Sequence, residues 1–224
     1  MDRAELLAKI LGSEIEELVR AELEKITLEF NSLAVSIPPQ VQMGRRELYF
    51  HDQIRLLGQI ALAEGSHVTG DFLEIGVWKG RTLALLQRLL PAERKLFGID
   101  PLELPNQVNE IAHYRESLFS NAILIRDYSE HASAKLRALT EAIFLLHIDG
   151  GHRAENVFLD FLIYSKFVVP GGYVVFDDYN DSVFSPDVGP AVDALRVLNF
   201  FNGFDIFGPV GIFSNSYVLR KKNI

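Results

Sequence analysis

Three aspartates and a histidine in the second half of this chain have the types and spacing to hold a hard cation and to move a proton. Asp149 ends the apolar run Ile143–Ile148 and is followed by Gly150, Gly151 and His152. Asp177 and Asp178 end a second apolar run, Tyr173–Phe176, which the turn residues Pro170–Gly171–Gly172 precede. Each run reads as a buried strand. If the two strands are neighbours, their ends stand about 4.8 Å apart and three carboxylates converge on one small space. Like charges at that range raise one another's pKa, and a divalent cation resolves the conflict. All-oxygen ligation points to Mg²⁺, with Mn²⁺ or Ca²⁺ as substitutes. Without a cation, Asp177 and Asp178 cap a turn and Asp149 binds a loop amide. His152, three residues past Asp149, reads as a general base, a metal ligand or a surface residue. His147 lies inside its strand and reads as a core residue.

A second set of residues lies upstream, in Asp71–Thr82, DFLEIGVWKGRT. Phe72, Leu73 and Ile75 make a short apolar strand, and the chain passes through Gly76 and Gly80 into the helical pattern Leu83, Leu85, Leu86, Leu89, Leu90. A strand, a glycine-bearing turn and a helix start form the half of a βαβ unit that grips nucleotides, because glycine admits a ligand close to the backbone and helix amides face it. Glu74 occupies a strand-end position where an apolar residue is the default. The spacing G-x-x-x-G is also that of an ordinary tight βα turn. Twenty residues after Gly80, however, the strand Leu96–Ile99 ends in Asp100, where a carboxylate can hold a ribose diol. The two elements together point to a nucleoside-type cofactor.

Positioning these groups requires alternating strands and helices. Strands are expected at 71–75, 95–99, 122–126, 143–148 and 172–176, with helices near 81–90, 106–119, 130–139 and 153–168. That alternation implies an α/β fold with a doubly wound, mostly parallel sheet. Residues 205–207 and 211–220 suit an antiparallel hairpin at its edge. Upstream, residues 1–34 carry apolar positions at helical spacing with a break at Gly12–Ser13. Ile37–Pro38–Pro39 is a linker, and a further helix is expected over Arg45–Ala63. The division is an N-terminal helical cap, residues 1–65, and a core domain, residues 66–224. The cap would be packed on the core, form a lid, or mediate a homo-oligomer. Arg45, Arg46, Tyr49 and His51 could reach a cofactor carboxylate, or form a solvated basic turn.

Composition narrows the partners. At 224 residues with a net charge of −8, the chain is not built for nucleic acid or an anionic membrane. No apolar run reaches the roughly 20 residues that span a bilayer. The N-terminus MDRAELLAKI lacks the apolar stretch of a secretory signal, so a cytoplasmic protein is expected. The absence of cysteine removes disulfides, thiolate metal sites and a Cys nucleophile.

Taken together, strand–E-x-G-x-x-x-G–helix, the acidic end of the second strand, D-G-x-H after the fourth and P-G-G…D-D around the fifth resemble the class I S-adenosylmethionine-dependent methyltransferases. More narrowly they resemble the metal-dependent O-methyltransferases related to macrocin O-methyltransferase, with catechol O-methyltransferase more distant. The resemblance covers residues 66–200. It implies a seven-stranded sheet of order 3-2-1-4-5-7-6 with strand seven antiparallel. It assigns Glu74, Gly76 and Gly80 to the methionine part of S-adenosylmethionine, Asp100 to its ribose and Asp127 to its adenine. It makes Asp149, Asp177 and Asp178 the metal ligands and His152, beside Asp149, the catalytic base. The implied reaction is Mg²⁺-dependent methylation of a hydroxyl on a small molecule: a sugar, a glycosylated natural product or a catechol-like diol. Two departures stand out: the first loop has two glycines where many relatives have three, and Arg126 stands where glycine is common. The alternatives are a nucleotide-dependent oxidoreductase and a non-catalytic cofactor-binding protein on the same fold.

Overall fold

The computed structural model describes residues 3–43, 52–211 and 214–223. Arg45, Arg46, Tyr49, His51 and the expected start of the helix at Arg45 lie outside them. Two helices, α1 (Arg3–Ile10) and α2 (Ser13–Ser36), meet at the Gly12–Ser13 break, and α3 (Asp52–Glu64) leads to the first strand. The core then alternates as expected: β1 (Asp71–Ile75), α4 (Arg81–Leu89), β2 (Leu96–Asp100), α5 (Gln107–Leu118), β3 (Ala122–Arg126), α6 (Ser129–Arg137), β4 (Ile143–Ile148) and α7 (Ala154–Tyr164). It finishes with β5 (Val168–Phe176), α8 (Val188–Val197), β6 (Phe204–Val210) and β7 (Ser216–Lys221).

The sheet order is β3-β2-β1-β4-β5-β7-β6. β1 to β5 are parallel, and β7 runs antiparallel between β5 and β6. The order reverses between β1 and β4, which is where an open α/β sheet leaves a crevice at its carboxyl ends.

Side chains alternate across the sheet, as the pleat requires. Phe72 of β1 joins an apolar cluster with α1 to α5, whereas Leu73 and Ile75 join another with α6, α7 and α8. Val19, Leu23, Ile26 and Phe30 of α2 pack in the same cluster as Leu57, Ile60, Leu85 and Leu86, so the N-terminal helices close one face of the sheet.

The segments around β5 and the C-terminal hairpin differ from the expected ones, the hairpin strands running over Phe204–Val210 and Ser216–Lys221. The helix near 153–168 stops at Tyr164, and β5 starts at Val168 rather than at 172. Pro170–Gly171–Gly172 is not a turn before the strand but an irregularity within it. The register with β4 jumps from Ile143–Val168 to Leu145–Tyr173, and Gly171 takes φ +80°. β-branched Val168 and Val169 favour the extended chain, and the glycines absorb the bulge. Helix α8 is absent from the expected elements, and Gly189 and Pro190 stand near its start. Proline is tolerated in a first turn, whose amides lack intrahelical partners anyway.

Candidate active site

The turn after β1 is tightly wound. Gly76, Trp78 and Gly80 all have positive φ, at 87°, 46° and 80°. A Cβ on Gly76 would lie 2.0 Å from the Asp149 carbonyl oxygen, and one on Gly80 would lie 2.3 Å from the Phe119 ring. No larger residue fits either place. Asp100, at the end of β2, holds this turn from outside: one carboxylate oxygen accepts from Val77 N–H at 2.8 Å and Trp78 N–H at 3.3 Å, the other from Leu102 N–H at 2.7 Å. Gln107 on α5, almost fully buried, donates to both Asp100 oxygens and to the Trp78 carbonyl.

Glu74 and His147 are register partners on β1 and β4, on one face of the sheet. Their side chains are therefore adjacent, with Glu74 Oε1 3.2 Å from His147 Nδ1. Among the described residues, no hydrogen-bond partner meets the buried Glu74 Oε2 or His147 Nε2. Burial pushes the Glu74 pKa up. Burial alone would push His147 down, but the hydrogen bond to Glu74 and the negative charges of Asp149 and Glu74 outweigh it, and its pKa is raised. The pair therefore binds its protons more tightly than either group would in water.

Both groups line a cavity of about 720 Å³ at the carboxyl ends of the strands. Gly76 to Trp78, Arg81 and Asp100 line the same cavity, and so do Tyr128, Asp149, His152, Asp177 and Asp178. Ile54 on α3 adds to the wall, so the segment before β1 takes part in the site.

The donor atoms form two overlapping groups, each spanning no more than 4.8 Å: His147, Asp149 and Asp177, and Asp149, His152 and Asp178. Asp149 belongs to both, while Asp177 and Asp178 fall in different groups. Asp178 leaves the strand with φ +56°, and that reversal separates the two neighbouring carboxylates. Ser185 Oγ donates to Asp178 Oδ2 at 2.7 Å, and Asn215 donates to Oδ1 at 3.3 Å. His152 Nε2 stands 3.8 Å from Asp149 and 3.6 Å from Asp178. Asp149 above all raises the His152 pKa, against a smaller desolvation effect.

Of the residues singled out from sequence, Glu74, Gly76, Asp100, Asp149, His152, Asp177 and Asp178 come together around the cavity. Gly80 and Asp127 do not line it. Gly80 acts through the shape of the turn. Asp127 accepts from Lys135 Nζ at 2.7 Å and from Tyr128 N–H at 2.9 Å, and that side of the cavity is lined by Tyr128, Ser129 and Glu130. Sequence reading missed Arg81, Gln107 and Ser185, and it placed His147 in the core. The alternation along β4 was the available signal for His147, because it puts this residue on the face of Leu145, beside Glu74 of β1.

The cavity fits an adenosyl amino acid in three respects: size, a glycine turn that admits a ligand to the backbone, and orphaned buried polar atoms on Glu74, Arg81 and His147. Residues 73–179 match the family described as a methyltransferase domain. An uncharacterized protein, R132, of Acanthamoeba polyphaga mimivirus is 37% identical over 129 residues, which cover 55% of this chain and 58% of that protein. This chain thus matches somewhat more than half the length of that relative. Among solved structures, the O-methyltransferase NovP superposes with a TM-score of 0.66 at 17% identity, covering 92% of this chain and all of its own. An O-methyltransferase from Bacillus cereus, in complex with SAH, gives 0.62 at 15% identity over 91% of each chain. In sequence, residues 73–179 thus resemble a methyltransferase domain, and the whole chain shares its fold with solved O-methyltransferases.

Proposed function

We propose that this protein transfers the methyl group of S-adenosylmethionine to a hydroxyl of a small molecule, with a divalent cation, Mg²⁺ in the first place, beside the acceptor. One observation carries the reading: a single cavity is lined both by the glycine turn with Asp100 and by the acid–histidine cluster of Asp149, His152, Asp177 and Asp178. The cofactor brings an electrophilic methyl on a sulfonium. A divalent cation, when bound, lowers the pKa of a hydroxyl. Asp149 and Asp178 offer it hard oxygen donors, with Asp177 as a further donor next to His147.

The protein's own part is positioning. The turn held by Asp100 and Gln107 seats the cofactor, and the strand ends present the acceptor to it, so orientation supplies much of the rate. His152 Nε2, within 4 Å of both aspartates, stands where it can take the proton of an acceptor hydroxyl. Two adjacent oxygens on the acceptor suit the cluster, as in a sugar diol, a glycosylated natural product or a catechol.

A methyl-transfer assay with hydroxylated sugars and catechols, run with Mg²⁺ and with excess EDTA, tests the reading. Turnover should require the cation, while S-adenosylhomocysteine binding measured by calorimetry persists in EDTA. Full turnover in EDTA would remove the cation from the reaction, and failure to bind S-adenosylhomocysteine would remove the cofactor.

A further inference from the structure

His147 stands in a row across the sheet, between its register partners Glu74 on β1 and Val175 on β5. Two residues further along each chain, on the same face, come Asp149 and Asp177. A ring nitrogen of His147 and one carboxylate oxygen from each aspartate lie within 4.8 Å of one another, and all three residues line the cavity. His147 is only 2% exposed and Asp177 8%. Nδ1 of His147 donates to Glu74 Oε1 at 3.2 Å, while Nε2 meets no hydrogen-bond partner among the described residues. With its Nδ1–H given to a carboxylate, the neutral ring presents its lone pair at Nε2. An acid placed behind a histidine in this way fixes the ring and its tautomer and makes the outer nitrogen a better metal donor. A trapped water would satisfy Nε2, but it would not offset the repulsion between the two carboxylates beside it.

We infer that His147 is a nitrogen ligand of the cation, forming with Asp149 and Asp177 an imidazole–carboxylate site for a transition ion such as Mn²⁺, Fe²⁺ or Co²⁺, with Glu74 positioning the ring. The assignment rests on the cation of the proposed function and names its class. Carboxylates alone suit Mg²⁺, which takes oxygen ligands and keeps several waters. One imidazole nitrogen among them shifts the preference along the series Mn²⁺, Fe²⁺, Co²⁺, so Mg²⁺ binds the same place more weakly. The histidines on either side of Asp149 divide the work. His152 has a side chain 40% exposed, groups with Asp149 and Asp178, and keeps its Nδ1 on Ser185 Oγ at 2.8 Å. It faces the acceptor side, where a proton is moved, whereas the buried His147 stays with the ion.

Pulsed electron paramagnetic resonance of Mn²⁺ added to the protein reads nitrogen ligands directly, through their nitrogen-14 coupling to the ion. The coupling should be present in the wild type, persist in His152→Ala and vanish in His147→Leu. By calorimetry the wild type should bind Co²⁺ roughly 100-fold more tightly than Mg²⁺, and His147→Leu should lose about tenfold or more of that preference. Glu74→Gln should weaken Co²⁺ binding about 10–100-fold while the nitrogen coupling remains, which a merely structural role would not produce. Unchanged Co²⁺ affinity in Glu74→Gln would count against the arrangement. If His147→Leu does not fold, the wild type and His152→Ala decide between them. Bound Mn²⁺ without nitrogen coupling in the wild type overturns the assignment alone and leaves the aspartates as the ligands. Coupling lost in His152→Ala overturns it too, because His152 is then the nitrogen seen. Failure of all three ions to bind the wild type overturns the assignment and the cation reading together.

Discussion

Ser185 Oγ lies 2.8 Å from His152 Nδ1 and donates its one proton to Asp178 Oδ2 at 2.7 Å. Towards His152 the hydroxyl oxygen therefore accepts, so Nδ1 carries the hydrogen of the neutral ring and Nε2 is left as the basic nitrogen. The serine fixes which nitrogen faces Asp149. Ser185→Ala should lower kcat about tenfold while the Kd for S-adenosylhomocysteine stays unchanged, and His152→Ala should lower kcat by roughly 10²–10⁴. Nitrogen-15 shifts of the His152 ring should show the loss of the Nδ1–H form in Ser185→Ala. An unaltered tautomer and rate would leave Ser185 as a loop residue.

Asp100 should matter twice, because its carboxylate holds the turn that forms the cofactor seat. Asp100→Ala removes acceptors for Val77, Trp78 and Leu102. We expect S-adenosylhomocysteine to bind at least tenfold more weakly, together with a loss of roughly 1–3 kcal/mol in stability from amides left unpaired. Unchanged affinity in calorimetry would detach Asp100 from the cofactor.

Lys79 and Glu110 form a buried ion pair, each side chain 2% exposed. Glu110 also accepts from the Tyr114 hydroxyl and the Met43 amide, which ties α5 to the segment after α2. Glu110→Gln should cost about 3–5 kcal/mol in urea unfolding, because a buried ammonium loses its carboxylate. Adding Lys79→Met should recover at least half of that. A double variant no better than the single one would show that the pair's charges are not what holds this corner.

Asp160 on α7 is buried behind Gly150, and burial raises its pKa from 3.8 to about 6 against a smaller lowering by a hydrogen bond from Ser129. An acid whose pKa is higher in the folded state makes that state bind more protons between the two values. Its stabilising effect is thus complete below pH 3.8 and is lost as pH rises through about 6. By pH 7 the loss amounts to about 3 kcal/mol. Denaturation of wild type and Asp160→Asn at pH 4, 5, 6 and 7 should show the wild type losing roughly that much relative to the variant. Parallel pH dependences would show that the carboxyl is not held neutral.

The sequence by itself determined the strands and their polar ends. An apolar run closed by an aspartate, or by a glycine turn, is a local pattern, so β1 to β4, Asp100, Asp149, Asp177 and Asp178 were legible before any contact was known. Gly76 was legible for the same reason, because only glycine occupies a positive-φ position against the Asp149 carbonyl. The tertiary structure alone decided which of these groups meet. Glu74 and His147 are 73 residues apart and touch because β1 and β4 are neighbours in register, an arrangement set by the packing of helices on both faces of the sheet. The split of Asp177 and Asp178 between two donor groups follows from one backbone reversal at Asp178, which no residue type announces. Arg81 looked like an ordinary first residue of an amphipathic helix. Its burial with no counter-ion among the described residues depends on where α4 lies against the cavity, and a charge's environment is a property of the folded neighbours rather than of the residue.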